Sequence, residues 1–168
     1  MVKTLSVPQV LVHKLILSYL KANDLSQTLL QFEQETATCL EEYPQVVRSC
    51  RELVLAGKFD EAEEYLHNLD ESIGETNVRD CLSALRLQKY LEILEGNQTN
   101  TPAALHLAKT SLERLKEVAL SSLVKDVNSL LGLKSVVDHP EYRDWTVLNG
   151  RCKTFQKIYS HLEPVEFI

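Results

Sequence analysis

No apolar run in this sequence approaches the roughly 20 residues that a membrane-spanning helix needs. The amino terminus, Met1-Val2-Lys3-Thr4, does not lead into a secretion-signal pattern. There is no CxxC pair. Cys39, Cys50, Cys81 and Cys152 are widely spaced and read as reduced thiols of an intracellular protein. The sequon at Asn97-Gln98-Thr99 then carries no meaning. Basic charge is also short: 18 Lys and Arg stand against 24 Asp and Glu, for a net charge of −6. A nucleic-acid binder shows a basic surplus or basic runs, and this chain shows neither. These absences predict a cytoplasmic and/or nuclear protein with neither membrane nor nucleic acid as partner.

Catalytic signatures are missing as well. His13, His67, His106, His139 and His161 are dispersed, and HExxH, GxSxG and GxxxxGK[ST] do not occur. His139 lies near Glu141 and Asp144, but three loop residues without a cysteine make a weak metal or acid–base site. Capping or surface roles are expected there. The run Asp60-Glu61, Glu63-Glu64 suits a helix amino terminus and lacks the loop glycine of a calcium-binding hand. No catalytic, cofactor-binding or metal-ligating residue is expected, and no cofactor.

Helical periodicity is what the chain does have. At 44% hydrophobic and 25% charged residues, it has the make-up of an ordinary globular protein. After Pro8, the residues Leu11, Leu15, Ile16, Tyr19 and Leu20 form one apolar stripe. Asn23-Asp24 interrupts it, with Asp24 a candidate N-cap for a second helix carrying Leu25, Thr28, Leu29 and Phe32. A third helix is predicted from about Tyr43 to Leu55, stopped by Gly57, and a short fourth from Phe59 to near Leu69. A long fifth runs from Val78 to Gly96, before a polar loop to Asn100. Thr101-Pro102 reads as N-cap and first helical residue of a sixth. A seventh spans Leu120 to Leu131, an irregular connector covers Asp138 to Trp145, and a last helix covers about Val147 to Leu162, anchored by Trp145. All five glycines fall at helix ends or in connectors, and no β alternation appears. The predicted fold is all-α, a helical pair followed by stacked antiparallel helical hairpins.

Two helices of about 12 residues are marginal alone. Each carries a broad apolar stripe, and one hairpin cannot cover both. Two hairpins meeting about a two-fold axis would bury them in a four-helix arrangement; packing on the rest of the chain would serve equally. Periodicity leaves these alternatives open.

The run Leu15-Ile16-Leu17-Ser18-Tyr19-Leu20, with Leu25, Thr28, Leu29, Phe32, Glu33 and Glu35-Thr36, resembles the LisH motif, although Leu25 and Thr28 replace its usual choices. Gly57-Lys58-Phe59-Asp60-Glu61-Ala62 resembles the "G.WDEA" turn of the CTLH motif, with Phe59 in place of tryptophan. Leu87-Gln88-Lys89-Tyr90-Leu91-Glu92 resembles the "QKYLE" helix that follows it, and Ala103 to Leu131 resembles a CRA segment. The resemblance implies a LisH self-association motif over 8–38, CTLH helices over 39–96, and CRA-like helices with a last helix over 97–168. It implies homodimers or higher homo-oligomers formed through Leu11, Leu15, Ile16, Tyr19, Leu20, Leu25, Leu29 and Phe32.

Modules of this kind precede WD-repeat propellers in nemitin-type microtubule-associated proteins, Topless-type corepressors and receptor subunits of LisH–CTLH ubiquitin ligases. The ending at Glu163 to Ile168 suits an amino-terminal piece of such a protein. The connector His139-Pro140-Glu141-Tyr142-Arg143-Asp144-Trp145 looks most like the nemitin-type arrangement. Topless-type domains bind short leucine-rich peptides beside the CTLH and CRA helices. Their basic and aromatic positions fall near Asp80 and Ser83 here, the wrong chemistry for that ligand. Arg79 and Arg86 are the nearby substitutes, with Leu115, Leu123 and Leu130 as apolar groove candidates or, equally in character, core leucines. The expected function is a non-enzymatic protein–protein interaction and self-association module of a scaffold protein.

Overall fold

The computed structural model describes residues 6–97 and 101–165. The expectations for Met1 to Thr4, for Gln98 to Asn100 and for the last three residues lie outside them. Among the described residues the fold is all-α, without strands. The chain divides into two compact units, with the break between Tyr43 and Pro44.

The first unit is a helical hairpin of α1 (Gln9–Ala22) and α2 (Ser26–Thr36). Its turn differs from the expected one. Asp24 does not cap α2. It adopts φ +54°, the left-handed conformation that closes many helices. Its N–H donates to the Lys21 carbonyl at 3.2 Å, and the Leu25 N–H donates to the Leu20 carbonyl at 3.0 Å. These two bonds satisfy the end of α1. Aspartate tolerates this backbone better than most side chains do. The hairpin is pinned by the edge of His13 against Phe32, with ring centroids 5.5 Å apart, and by His13 Nδ1 beside Thr38 Oγ1 at 3.2 Å.

The second unit is built around one long helix. Its elements are α3 (Gln45–Leu55), α4 (Phe59–Asn68), α5 (Asp70–Ile73), α6 (Glu75–Asn97), α7 (Pro102–Lys116), α8 (Ser121–Asn128) and α9 (Val147–Leu162). Helix α6 packs on α4, α5, α7 and α9. It buries Val78, Cys81, Leu82, Leu85, Tyr90, Leu91 and Leu94, so its apolar residues point several ways and no single stripe stands out. The stretches divided at residue 96 by their motifs share one core: Tyr90, Leu91 and Leu94 pack with Ala108, Leu112, Leu115, Val127, Leu130 and Val136.

The helix-end signals act as expected at Thr101, whose hydroxyl accepts from the Ala104 N–H at 3.2 Å, with Pro102 following. The seventh helix is shorter than expected. Leu120 precedes it and is exposed, and α8 gives way at Ser129 to a 3-10 turn through Gly132. Ser129 Oγ donates back to the Asp126 carbonyl at 2.6 Å, a local bond that competes with the helical pattern. Further 3-10 turns at Val136–Asp138 and Pro140–Tyr142 fill the irregular connector.

One glycine departs from the expected placement. Gly150 is inside the first turn of α9 and buried. A Cβ there would overlap Gln88 Oε1 and the indole nitrogen of Trp145. That nitrogen donates to Gln88 Oε1 at 3.3 Å, and Gln88 Nε2 reaches the Val147 carbonyl at 3.4 Å. Trp145 is thus the expected anchor of the last helix. Leu115 is fully buried in the shared core. Leu115→Ala is expected to lower unfolding free energy by about 2–5 kcal/mol, read from urea titration; a loss under about 1 kcal/mol would contradict its core assignment.

Candidate functional site

The eight residues expected to mediate self-association do not behave alike. Leu11, Leu15 and Tyr19, spaced four apart on one face of α1, are 50%, 62% and 65% exposed. Ile16 and Leu25 are also exposed. Leu29 and Phe32 are half-buried on α2. Leu20 is only 7% exposed, and this corrects its place in the set. Successive helical residues turn by about 100°, which puts His13, Leu17 and Leu20 on one side of α1 and Leu11, Leu15 and Tyr19 on the other. Val12 widens the exposed side and was missing from the expected set; it lies four residues before Ile16, a signal present in the spacing. A helix this apolar on its solvent face is unusual in a monomer.

The expected groove residues are not brought together as a groove. Leu115 and Leu130 are core residues with essentially no surface, and Leu123 is partly buried against the same core. Arg79 is exposed and donates to the Glu117 carbonyl at 3.3 Å. Arg86 is buried, and its charge is already matched. It pairs with Glu63 on α4 through two nitrogens, reaches Glu117 Oε2 at 3.0 Å, and donates to the Arg114 carbonyl at 2.8 Å. Arg114 adds a second cation to Glu63 at 3.2 Å. This cluster fastens α4 and α6 to the end of α7, where carbonyls favour a cation. Arg86 is a fastening residue, unable to greet an acidic peptide without abandoning its partners.

The CTLH-like turn has a physical explanation that the sequence did not disclose. Gly57 follows α3 at φ +73°. Its N–H donates to the Val54 carbonyl at 3.1 Å, and the Lys58 N–H to the Leu53 carbonyl at 3.0 Å. A Cβ on Gly57 would overlap the Arg151 guanidinium. Arg151 uses that space to donate to the Leu55 carbonyl at 3.1 Å and to Glu92 at 2.9 and 2.8 Å. Its Cζ lies 5.8 Å from the centroid of the Phe59 ring, a cation–π arrangement. Asp60 on the same turn meets Lys89 at 2.6 Å. The two motifs are therefore the two sides of one joint.

Among the described residues no group of three or more His, Cys, Asp or Glu is placed to hold a metal ion. His139 Nδ1 accepts from the Glu141 N–H at 3.3 Å, a capping role. Burial pushes the Cys50 and Cys81 thiols up to about 12, which keeps both protonated and unreactive. No described helix is long and apolar enough to cross a membrane.

With this geometry in view, the TPR1-like, CTLH-containing domain family matches residues 46–162. The chain belongs to that family. The match covers the second unit from α3 to the end of α9, and makes the chain a protein-interaction module. The α1–α2 hairpin precedes the matched residues.

The charge cluster predicts an acid response. Burial raises the Glu63 carboxyl, but the hydrogen bond and charge of Arg86, with the charges of Arg114 and His67, more than offset it, and the net shift is downward from 4.5. A depressed carboxyl contributes stability that is present above its unfolded value and lost as pH falls through the folded one. The thermal midpoint is expected to fall as pH drops below about 4.5, and Glu63→Gln to flatten that fall. An unchanged pH profile in the variant would refute the assignment.

Proposed function

We propose that this chain is a non-enzymatic scaffold module that pairs with a second copy of itself through α1 and engages protein partners through the helices after Tyr43. The exposed row Leu11, Leu15 and Tyr19 carries the reading. Two such rows meeting about a two-fold axis make a self-complementary patch, and the two hairpins then form four helices with both faces of each α1 covered. Leu20, only 7% exposed, is left out of this pairing face.

The order of LisH-like, CTLH-like and CRA-like segments supports a module amino-terminal to a WD-repeat propeller, inside the cell. The His139 to Trp145 connector favours the microtubule-linked, nemitin-type setting. Transcriptional corepression or ubiquitin-ligase assembly is the alternative. The matched charges of Arg86 and the acidic Asp80 weigh against corepressor-type peptide capture at those positions.

The test is size-exclusion chromatography with light scattering at micromolar concentration. The native chain is expected to run as a dimer or larger. Leu15→Glu with Tyr19→Glu is expected to give a monomer with unchanged helical circular dichroism, because both side chains are already in solvent. A native chain that is monomeric at every concentration, or a variant that keeps its oligomeric mass, would sink the proposal.

A further inference from the structure

The connector between α8 and α9 is fastened at its first turn by one carboxylate. Glu95, in the last turn of α6, accepts from the Ser135 hydroxyl at 2.9 and 3.1 Å and from the Val136 N–H at 3.0 Å. The Ser135 N–H donates to Asp138 Oδ2 at 3.2 Å. Val136 is thereby held in the core with Tyr90, Leu91 and Leu94. The turns beyond it hang on single backbone bonds. The His139 N–H donates to the Val136 carbonyl at 3.2 Å, the Tyr142 N–H to the His139 carbonyl at 3.0 Å, and the Trp145 N–H to the Tyr142 carbonyl at 3.0 Å. A run held this way lacks the overlapping bonds of a helix and opens more readily than the helices it joins.

The hydroxyl at the head of this run stands apart from most others. Of the serines in the described residues, only Ser6 and Ser135 lie outside α-helices and 3-10 turns. Ser135 is half-exposed, and its backbone is extended at φ −144° and ψ 150°, as is that of Leu133 before it. Kinases select substrates by the charges around the acceptor. Asp138 stands three residues after Ser135, whereas Ser6 has Gln9 in that place.

The same geometry makes a phosphate costly. A phosphoserine carries about −1.5 to −2 charges at neutral pH and no longer has the hydroxyl proton. At Ser135 that charge would meet Glu95 and Asp138, and Glu95 would lose a donor. Lys134, exposed and next in the chain, offsets only part of it.

We propose that Ser135 is a phosphorylation site for an acidophilic serine kinase, and that the phosphate releases the connector from α6. The Ser135 oxygen attacks the γ-phosphorus of ATP, and the bond from that phosphorus to the β-phosphate oxygen breaks. ADP leaves, and the hydroxyl proton passes to the base of the kinase. The turn opens to admit the kinase, and repulsion afterwards favours the open form. The switch lies within the second unit and does not depend on pairing through α1.

The full chain is incubated with magnesium, ATP and an acidophilic kinase of the casein-kinase type, and the modified residues are read by mass spectrometry. Phosphate is expected on Ser135. In the modified chain, amide exchange from Val136 to Trp145 is expected to rise roughly tenfold or more, while α3, α4 and α7 keep their protection. The emission of Trp145, the only tryptophan, is expected to shift to the red. Glu95→Gln keeps an acceptor but removes the opposing charge, so phosphate on that variant is expected to raise exchange less. Ser135→Asp supplies a charge without the kinase and is expected to repeat the effect more weakly than the phosphate, with Ser135→Asn as the neutral control. A Ser135 that stays unmodified, a phosphorylated chain with unchanged exchange, or an effect undiminished in Glu95→Gln would overturn the proposal, as would equal exchange in the Asp and Asn variants.

Discussion

One guanidinium sets the arrangement of the second unit. Arg151 joins α9 to the Glu92 carboxylate on α6 and to the carbonyl that ends α3, while its face lies over Phe59 at the start of α4. Four helices meet on a single side chain. The contact depends on the absence of a side chain at Gly57, where the left-handed turn and the guanidinium occupy one place. Glu92 is largely buried, so losing Arg151 would leave an uncompensated charge near the core, which is far costlier than losing an exposed pair.

From that joint the rest follows outward. Helix α6 cannot be amphipathic in the simple sense, because it has a neighbour on nearly every side. Its polar residues are given to particular partners: Arg86 to α4 and α7, Gln88 to Trp145 and the start of α9, Glu92 to Arg151. Among the residues this unit leaves exposed are Lys153 and Lys157 on α9 and Arg143 on the connector. The first unit is the converse. A short hairpin with little interior leaves its widest apolar surface in water, where a partner surface stabilises it best.

Much of this was legible in advance. The periodicity located every helix of eight residues or more, and the glycine at 57, the Thr101-Pro102 pair and the QKYLE run carried their usual meaning. Element ends were less legible where two signals compete. Asp24 is equally good at opening a helix and at closing one in the left-handed conformation, and backbone bonds decided for closing. Ser129 diverted α8 into a 3-10 turn through a local hydroxyl bond. The expected groove failed for a different reason. A stripe of leucines such as Leu115 and Leu130 has the same period whether it faces a ligand or a core, and an arginine such as Arg86 does not reveal in sequence that two glutamates already hold it. Gly150 was the unread clue, a glycine inside a helical run, placed there so that Gln88 and Trp145 can approach the backbone.

The dependence of the unit on Arg151 is tested most directly by a double-mutant cycle of Arg151→Met and Glu92→Gln, followed by denaturant unfolding. A buried, charge-assisted pair predicts a coupling of roughly 1.5–3 kcal/mol. Additivity within about 0.5 kcal/mol would mean that the two side chains act independently, and would contradict the central place given to this contact.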